Sequence, residues 1–373
     1  MTRDNQRVIV VGAGPAGAAT ALALARASVP VTIVERSAFP RRKVCGEYLG
    51  MGALDQLDAL DLGERVRALG SPLRGIRIVA SGAHAELPFP RPAIGLARAT
   101  LDDLILQAAL GAGATLVSGR VEDVSATGVA VRDGQGERVK LHGRFVVGAD
   151  GVGSIVARKL GLSLPLPMRP RFAVGGHFRG IESTNGCVEM YCDGKSYLAI
   201  NPLGAGIANV MAVAPKDRLD TWSRVMEFAA EARSGPRVAV GPLVHAVRRS
   251  IAPGVLLVGD AAGFLSPFTG QGVFLALRSA QRASAALIRA FENSSAEDDA
   301  FVAYDREHRK ELRSRTRLGK LVDALIAVPF LTRRAARKLE ASPALAAILL
   351  DAIAGSTSAE TALRPAVLRR LLA

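Results

Sequence analysis

A glycine-rich turn near the N-terminus contains the residue types that bind a diphosphate. It follows the predicted strand Arg7–Val11, and its residues include Gly12, Gly14, Pro15, Ala16 and Gly17. Glycines at these spacings permit a tight turn, a close approach of the backbone to a pyrophosphate, and close packing of a helix on a strand. The helix predicted over Ala18–Ala27 would direct unpaired N–H groups and a positive partial charge at the phosphates.

An acidic residue ends the next apolar run. Glu35 closes the predicted strand Val31–Glu35, about 20 residues after the glycine turn, and Arg36 follows it directly. A carboxylate at this point can accept hydrogen bonds from both hydroxyls of an adenosine ribose and would repel a 2′-phosphate. Strand, turn, helix and acid together predict a dinucleotide site, but they do not distinguish NAD from FAD.

A second glycine-rich segment distinguishes the two cofactors. Gly259 and Asp260 follow the apolar run Val255–Val258, and Asp260 is placed to bond a ribityl or ribose hydroxyl. A loop then precedes another helix, and its residues include Pro267, Gly270, Gln271 and Gly272. N–H groups at the start of that helix can point at O2 and N1 of a flavin, where a reduced flavin accumulates negative charge. This second loop favours FAD, and the alternative is a strand–turn–helix with an aspartate cap.

A third element follows another buried strand. Asp150 and Gly151 come after Arg144–Gly148, and alone they equally fit a helix cap. The three motifs together resemble the FAD-dependent oxidoreductases of the para-hydroxybenzoate hydroxylase fold, and Arg98 resembles the arginine near the cofactor in that family. The resemblance spans roughly residues 7–285. It implies bound FAD, NAD(P)H as a transient electron donor, and a substrate held between flavin and sheet.

Two segments are similar to one branch of this family, the geranylgeranyl reductase-like proteins. They are Lys43–Glu47 and Gly270–Ala276. Aromatic hydroxylases usually have asparagine at the position of Phe274, and an Asp-Ala pair where Arg278 and Ser279 stand. The resemblance therefore implies reduction of carbon–carbon double bonds in a small hydrophobic substrate, polyprenyl-like or related. The alternative is hydroxylation of an aromatic or polyketide substrate with O2.

Candidate catalytic residues lie in the first of these segments. By resemblance, Cys45 lies beside the flavin or at the substrate cavity, whereas its residue type equally fits a small buried apolar side chain. Glu47 and Tyr48 are candidate proton donors. We expect no metal site, because no two histidines are spaced as a ligand pair and three cysteines are too few for a four-ligand zinc site. His177 could face the substrate, but a structural role is expected for it.

These residues need a parallel sheet and a separate substrate-binding sheet to position them. The predicted fold class is α/β with an α+β substrate domain: a Rossmann-like FAD-binding domain interrupted by an antiparallel-sheet substrate domain, with a helical C-terminus. We expect residues 1–165 to form the first part of the FAD-binding domain, with substrate-contacting segments at about 70–100. Residues 166–250 form the substrate domain, 251–290 return to the first domain, and 291–373 form a helical region.

Composition excludes several classes of protein. The 373 residues are 49% hydrophobic and 22% charged, as in an ordinary globular protein rather than a disordered, collagen-like or coiled-coil chain. The uncharged segment Val8–Ala25 superficially resembles an export signal, but its glycines and Pro15 interrupt such a segment. Three scattered cysteines favour a reducing compartment. We therefore expect a cytoplasmic protein, either free or peripheral at the inner face of a membrane.

The charge indicates anionic partners. A net charge of +14 would attract a phosphorylated cofactor, an acidic substrate, an anionic membrane or nucleic acid. Aromatic residues are only 5%, and no nucleic-acid-binding module is recognisable, so we expect no nucleic acid partner. The basic C-terminal residues predict either a solvated helix face or a surface that lies on anionic lipid; they are Arg333, Arg334, Arg337, Lys338, Arg364, Arg369 and Arg370. The sequence does not predict an oligomeric state.

Overall fold

The computed structural model describes residues 6–80, 82–165, 170–181, 185–194, 196–219 and 232–372. The boundary predicted after residue 165 adjoins residues 166–169, which lie outside these ranges. The described chain forms three β-sheets and a set of helices. Two of the sheets position the residues that the sequence motifs single out.

The first sheet is built on the predicted strand–helix–strand unit. In spatial order its strands are β16 (Ile251–Ala252), β17 (Val255–Leu257), β10 (Phe145–Gly148), β1 (Val8–Val11), β2 (Val31–Glu35) and β6 (Thr115–Ser118). All neighbours pair in parallel except β16 and β17. Strands β1, β2, β10 and β17 are almost continuous apolar runs, as expected for strands buried on both faces. Their carboxyl ends meet at one edge of the sheet.

The first helix explains the uncharged N-terminal segment. The sequence predicts this helix from Ala18, whereas it begins at Pro15 and ends at Arg26. Proline fits the first turn of a helix because its missing N–H would have no partner there. The segment that resembles an export signal is thus a buried strand and a largely buried helix of the first sheet's core.

The second sheet has eight strands. In spatial order they are β15 (Val238–Val240), β11 (Arg171–Arg179), β14 (Ile207–Pro215), β13 (Tyr197–Gly204), β12 (Cys187–Cys192), β4 (Ser71–Ala80), β5 (Ala83–Gly95) and β3 (Tyr48–Leu49). Neighbours are antiparallel except β12 and β4, which pair in parallel with Cys187 opposite Gly75. The sheet therefore combines strands from residues 166–250 with strands that precede residue 100.

A third, smaller sheet covers one face of the first. Its antiparallel strands are β7 (Arg120–Ser125), β8 (Gly128–Arg132) and β9 (Arg138–His142). Val121 and Val131 pack against the side chains of Ile9 and Val146 from the first sheet. The opposite face of the first sheet is covered by helices. Both faces are thus covered by protein and excluded from solvent. The edge at the carboxyl ends of the strands is the part that can receive a ligand.

The helices follow the predicted distribution, with a dense C-terminal group. Their bounds are Pro15–Arg26, Met51–Asp58, Gly63–Leu69, Arg98–Gly111, Ile155–Lys159, Gly272–Glu292, Glu297–Ala327, Pro329–Ala341, Pro343–Ala354, Ala359–Ala362 and Pro365–Leu372. The helices Pro329–Ala341 and Pro343–Ala354 pack on β5 of the second sheet, where Ala85 and Leu87 share a core with Leu339 and Leu349. Within the described ranges, we find no helix long and apolar enough to cross a membrane.

Candidate active site

A continuous cavity of about 730 Å³ joins the first sheet to the second. Its polar end lies at the carboxyl edge of the first sheet. The predicted site residues that line it are Gly12, Gly14, Pro15, Ala16, Glu35, Arg36, Cys45, Glu47, Tyr48, Arg98, Asp150, Gly259, Asp260, Pro267, Gly270 and Gly272. The fold thus brings together residues from four separate parts of the sequence. Gly17 and Gln271 do not line the cavity.

The three glycines of the first motif meet three different constraints. Gly12 has φ of +102°, and a Cβ there would lie 2.6 Å from the carbonyl oxygen of Ala149. At Gly17 a Cβ would lie 1.9 Å from the carbonyl oxygen of Gly12, so the helix approaches the strand too closely for any side chain. At Gly14 the nearest atom to a Cβ is 3.7 Å away, on Arg41. The backbone at Gly14 therefore faces the cavity itself.

Glu35 is held rigidly at the end of β2. One carboxylate oxygen accepts a hydrogen bond from the backbone N–H of Ala13, and the other accepts one from Ser37, both at 2.9 Å. The first of these bonds ties the end of β2 to the glycine turn after β1. The carboxylate stays on the cavity wall, where an oxygen lone pair can still accept from a hydroxyl.

A buried carboxylate organises two arginines beside this edge. Asp102 is fully buried and accepts hydrogen bonds from Nε and Nη2 of Arg98, at 2.7 and 2.8 Å. Nη1 of Arg41 lies 3.4 Å from the same carboxylate. Both guanidinium groups line the cavity, so an anionic ligand would meet them. Arg41 belongs to no recognisable motif, and its role is visible only in the folded chain.

Asp260 and Lys43 face each other across the cleft. Burial raises the pKa of Asp260 to about 6, although the Arg98 guanidinium opposes the shift. Burial also lowers the pKa of the Lys43 ammonium, and nearby guanidinium groups, foremost that of Arg41, lower it further. Among the residues described, none donates a hydrogen bond to the Asp260 carboxylate. The carboxylate is therefore available to a ligand hydroxyl.

Two predicted residues have side chains engaged elsewhere. Asp150 caps the helix Ile155–Lys159, because its carboxylate accepts from Ser154 Oγ and from the N–H of Ile155, both at 2.6 Å. Its side chain thus has the capping role that the sequence left open. Gln271 points away from the cavity, since its Oε1 accepts from Nη1 of Arg315 at 2.8 Å. That Gln271 binds the cofactor stays a prediction, and the bond to Arg315 shows that one end of its side chain is engaged by the protein.

Arg315 is a buried cation that the sequence gives no reason to single out. Besides Gln271, its guanidinium donates to the carbonyl of Ala352 at 3.1 Å and pairs with Glu311. It also lies over the ring of Phe274, 4.4 Å from the centroid. These contacts connect the loop before Gly272 to the C-terminal helices. Arg315 thereby fixes the position of that loop.

The segment Cys45–Glu47 is clamped by the second sheet. Asn209 donates to the carbonyl of Cys45 at 2.7 Å, and Asn201 donates to those of Gly46 and Glu47, at 3.0 and 2.8 Å. The Glu47 side chain is buried and bridges two elements: one oxygen accepts from the backbone N–H of Arg98 at 2.9 Å, and the other lies 2.6 Å from His177 Nε2. His177 therefore has the structural role that was expected for it.

Cys45 and Tyr48 lie where the polar part of the cavity meets the apolar part. The Arg98 guanidinium lies beside the Cys45 thiol. Burial raises the pKa of the Tyr48 hydroxyl, so the phenol stays protonated at neutral pH. The Tyr48 ring packs against Phe89, with centroids 5.8 Å apart, and would lie 2.9 Å from a Cβ at Gly270.

The other part of the cavity is almost entirely apolar. It lies between the second sheet and the C-terminal helices. Its lining residues include Ile76, Ala85, Leu87, Phe89, Val188, Met190, Ala199, Met211, Leu325, Ile326, Ala335, Ala336, Leu339, Leu349, Leu350 and Ile353. Such a wall suits a long, flexible hydrocarbon rather than a polar metabolite.

The polar end fits FAD by its shape as well as by its residue types. A Cβ at Gly272 would meet nothing within 4 Å, and one at Gly14 would meet nothing nearer than Arg41. These two backbone segments are therefore open toward the cavity, as the approach of a diphosphate and of a flavin ring requires. The fold and this cleft define an FAD-dependent oxidoreductase of the para-hydroxybenzoate hydroxylase fold.

The chain belongs to the family described as FAD binding domain, whose model matches residues 5–240. The menaquinone reductase of Mycobacterium tuberculosis (strain H37Rv) is 30% identical over 75% of this chain and 76% of that protein. Digeranylgeranylglycerophospholipid reductase 2 of Methanothermobacter thermautotrophicus is 29% identical over 84% of each chain. These relatives confirm the resemblance to the geranylgeranyl reductase-like branch.

Solved structures confirm the predicted fold class. The flavin-dependent halogenase CmlS superposes with a TM-score of 0.77 and 25% sequence identity, over 90% of this chain and 68% of that one. The likeness extends beyond residue 240, where the family model ends, into the C-terminal part of the chain. The cofactor prediction, FAD, is confirmed with it.

Replacing Gly14 with valine should abolish retention of FAD without unfolding the protein. The new side chain would point into the cavity, where it blocks the approach of the diphosphate but meets no protein atom closely. Flavin absorbance per mole of purified protein, together with the thermal midpoint of the apoprotein, measures both effects. Gly111→Val is the control, since a Cβ at Gly111 also meets nothing within 4 Å but lies on a distant helix end. Equal FAD content in the two variants would contradict the assignment.

The raised pKa of Asp260 predicts a pH-dependent stability of the apoprotein. Because the pKa of about 6 lies above the ordinary 3.8, the folded state binds the proton more tightly than the unfolded state. The contribution of Asp260 to the free energy of unfolding should therefore be fully present below pH 4 and fall by about 3 kcal/mol as the pH rises from 4 to above 6. Asp260→Asn should lack this decrease in urea titrations of the apoprotein. Asp61→Asn, at a carboxylate with 82% exposure, should retain it.

Proposed function

We propose that this protein is a reductase that uses FAD, reduced by NAD(P)H, to saturate carbon–carbon double bonds of a polyprenyl-like or related hydrophobic compound. The observation that carries the proposal is the continuity of the cavity. One end has the polar groups that suit FAD, and the other is an apolar channel between the second sheet and the C-terminal helices. A hydrocarbon chain in that channel would reach the polar end with one of its double bonds.

Different residues of the chain would bind different parts of the cofactor. Backbone N–H groups around Gly14 would bind the diphosphate, and Glu35 would accept from the adenosine ribose. Asp260 would accept from the ribityl chain, and the helix start at Gly272 would face the flavin ring. Bound there, FAD supplies hydride chemistry that no side chain offers.

Saturation of a double bond also needs a proton, and two side chains of the cavity wall are our candidates to supply it. The Cys45 thiol and the Tyr48 hydroxyl both line the cavity at the junction of its polar and apolar parts. Glu47, the third candidate from the sequence, has one oxygen bonded to the Arg98 N–H and the other to His177. We therefore assign Glu47 a positioning role, and the proton transfer to Cys45 or Tyr48.

The names of the relatives agree with this substrate class. Two of the curated relatives are reductases, one of menaquinone and one of digeranylgeranylglycerophospholipid. Both names denote compounds with isoprenoid chains. The apolar lining of the channel in this chain supports the same class of substrate.

An anaerobic product assay tests the proposal against hydroxylation. The FAD-loaded protein is mixed with NADH or NADPH and menaquinone or a geranylgeranyl compound in the absence of O2. We expect reoxidation of the reduced flavin and a product heavier by two hydrogens for each saturated bond, measured by mass spectrometry. A product that forms only with O2, and that contains oxygen from labelled O2, would instead establish the hydroxylase alternative.

Ala336→Phe should narrow the channel at the C-terminal helices. Ala336 is buried at the cavity wall, so a ring there would occupy space that a long chain needs. We expect the rate with a long isoprenoid acceptor to fall at least tenfold, and the rate with a short-chain analogue to change less than twofold. Ala341→Phe, exposed at the end of the same helix, is the control. An equal loss with both acceptors would mean that the channel does not hold the chain.

A further inference from the structure

The helix Pro329–Ala341 has two faces of opposite character. Its inner face lines the apolar channel with Thr332, Ala335, Ala336 and Leu339. Its outer face carries residues at the spacing i, i+3, i+4, i+7 and i+8, which places them on one side of a helix. They are Phe330, Arg333, Arg334, Arg337 and Lys338, all exposed or partly exposed. One helix therefore separates the channel from a cationic surface.

The charge of this surface is strongly one-sided. Within the helix four basic residues stand against a single acidic residue, Glu340. The last helix, Pro365–Leu372, packs alongside and contributes Arg369 and Arg370, and Arg370 reaches Ser342 at 3.2 Å. A patch of this composition attracts anionic lipid headgroups electrostatically.

An apolar tip stands at one end of the patch. Val328 and Phe330 are 44% and 60% exposed, at the turn after the helix Glu297–Ala327. The turn is fixed because Thr332 Oγ1 donates to the carbonyl of Leu325 at 2.7 Å. The channel wall continues on both sides of the tip, at Ile326 and at Thr332. An exposed ring beside cations is typical of a segment that enters the interfacial region of a bilayer.

We propose that this surface, comprising Val328–Phe330 and the outer basic residues of the last helices, docks on an anionic phospholipid bilayer. The helix Pro329–Ala341 lies in the interface, Phe330 inserts among the acyl chains, and the basic residues contact headgroups. The docking rests on exposure and charge alone. If the protein acts on the proposed substrate, docking here would also let a substrate dissolved in the membrane enter the channel directly; this second step rests on the proposed function.

The charge pattern by itself also suits a nucleic acid, but the tip favours lipid. A nucleic acid site needs several aromatic rings interleaved with basic residues for stacking, whereas this helix has one ring at its end. That ring lies within one helical turn of residues that line an apolar channel. A bilayer would use both the charge and the apolar tip.

Co-sedimentation of the FAD-loaded protein with lipid vesicles tests the proposal. We expect binding to vesicles of phosphatidylcholine with 30% phosphatidylglycerol, and at least tenfold weaker partitioning onto phosphatidylcholine alone. Phe330→Ser and the double variant Arg337→Glu/Lys338→Glu should each lower partitioning onto anionic vesicles at least tenfold. The matched controls are Val302→Ser, at a site with 53% exposure on another helix, and Lys140→Glu, exposed on β9. Neither control should change partitioning more than twofold.

Several outcomes would overturn the proposal. They are absence of wild-type binding to anionic vesicles, equal losses in the tip and control variants, or single-stranded RNA binding that exceeds vesicle binding and is unaffected by Phe330→Ser. FAD content and thermal midpoint of each variant show that the fold is retained. Turnover of a water-soluble short-chain acceptor, measured without vesicles, tests the proposed function separately. If the wild-type protein binds anionic vesicles but does not turn over this acceptor, the docking proposal stands and the proposed function fails. If it turns over the acceptor but does not bind vesicles, the proposed function stands and the docking proposal fails.

Discussion

A buried carboxylate has to be satisfied by hydrogen bonds, and Glu47 meets that requirement by joining the helix Arg98–Gly111 to the second sheet. Its side chain is 5% exposed, and its backbone has φ of +56°, a conformation that residues with side chains rarely adopt. The carboxylate bonds to the start of the helix at Arg98 on one side and to His177 of the second sheet on the other. Removing the His177 side chain would leave one oxygen of this buried carboxylate without its hydrogen-bond partner. The relative position of the cofactor cleft and the apolar channel depends on this junction.

The cationic groups of the cleft form a second constraint. Arg41 and Arg98 share the single carboxylate of Asp102, while Lys43 lies close enough to them that its pKa is lowered. Arg41 also lies 4.0 Å from Glu35, so these cationic groups are crowded together beside two carboxylates. A diphosphate would relieve the repulsion, and a ligand that binds only the folded state stabilises that state. Cofactor binding and folding are therefore coupled at this edge of the sheet.

The parts of the fold that could be predicted from the sequence are those determined by short, local motifs. The turn at Gly12, the acid at Glu35 and the loop at Gly272 each consist of neighbours in sequence, and each has a local physical reason. The contacts between distant elements could not be predicted. Glu47 and His177 are 130 residues apart, and Gln271 and Arg315 are 44 apart, and no periodicity marks these pairs. The side-chain contact of Gln271 has this origin, because a buried arginine from a distant helix holds its Oε1.

The strand order of the two large sheets has a consequence for how the chain is made. Strand β4 lies against β12 in parallel, and β1 lies against β10, whose other neighbour β17 begins at Val255. During synthesis, neither sheet can be completed while the ribosome is still adding the first half of the chain. Until the later strands are synthesised, β4 and β10 each have one edge without its final partner. Unpaired strand edges make nascent chains prone to aggregate. For the same reason, cutting the chain between β10 and β11 would leave both large sheets incomplete.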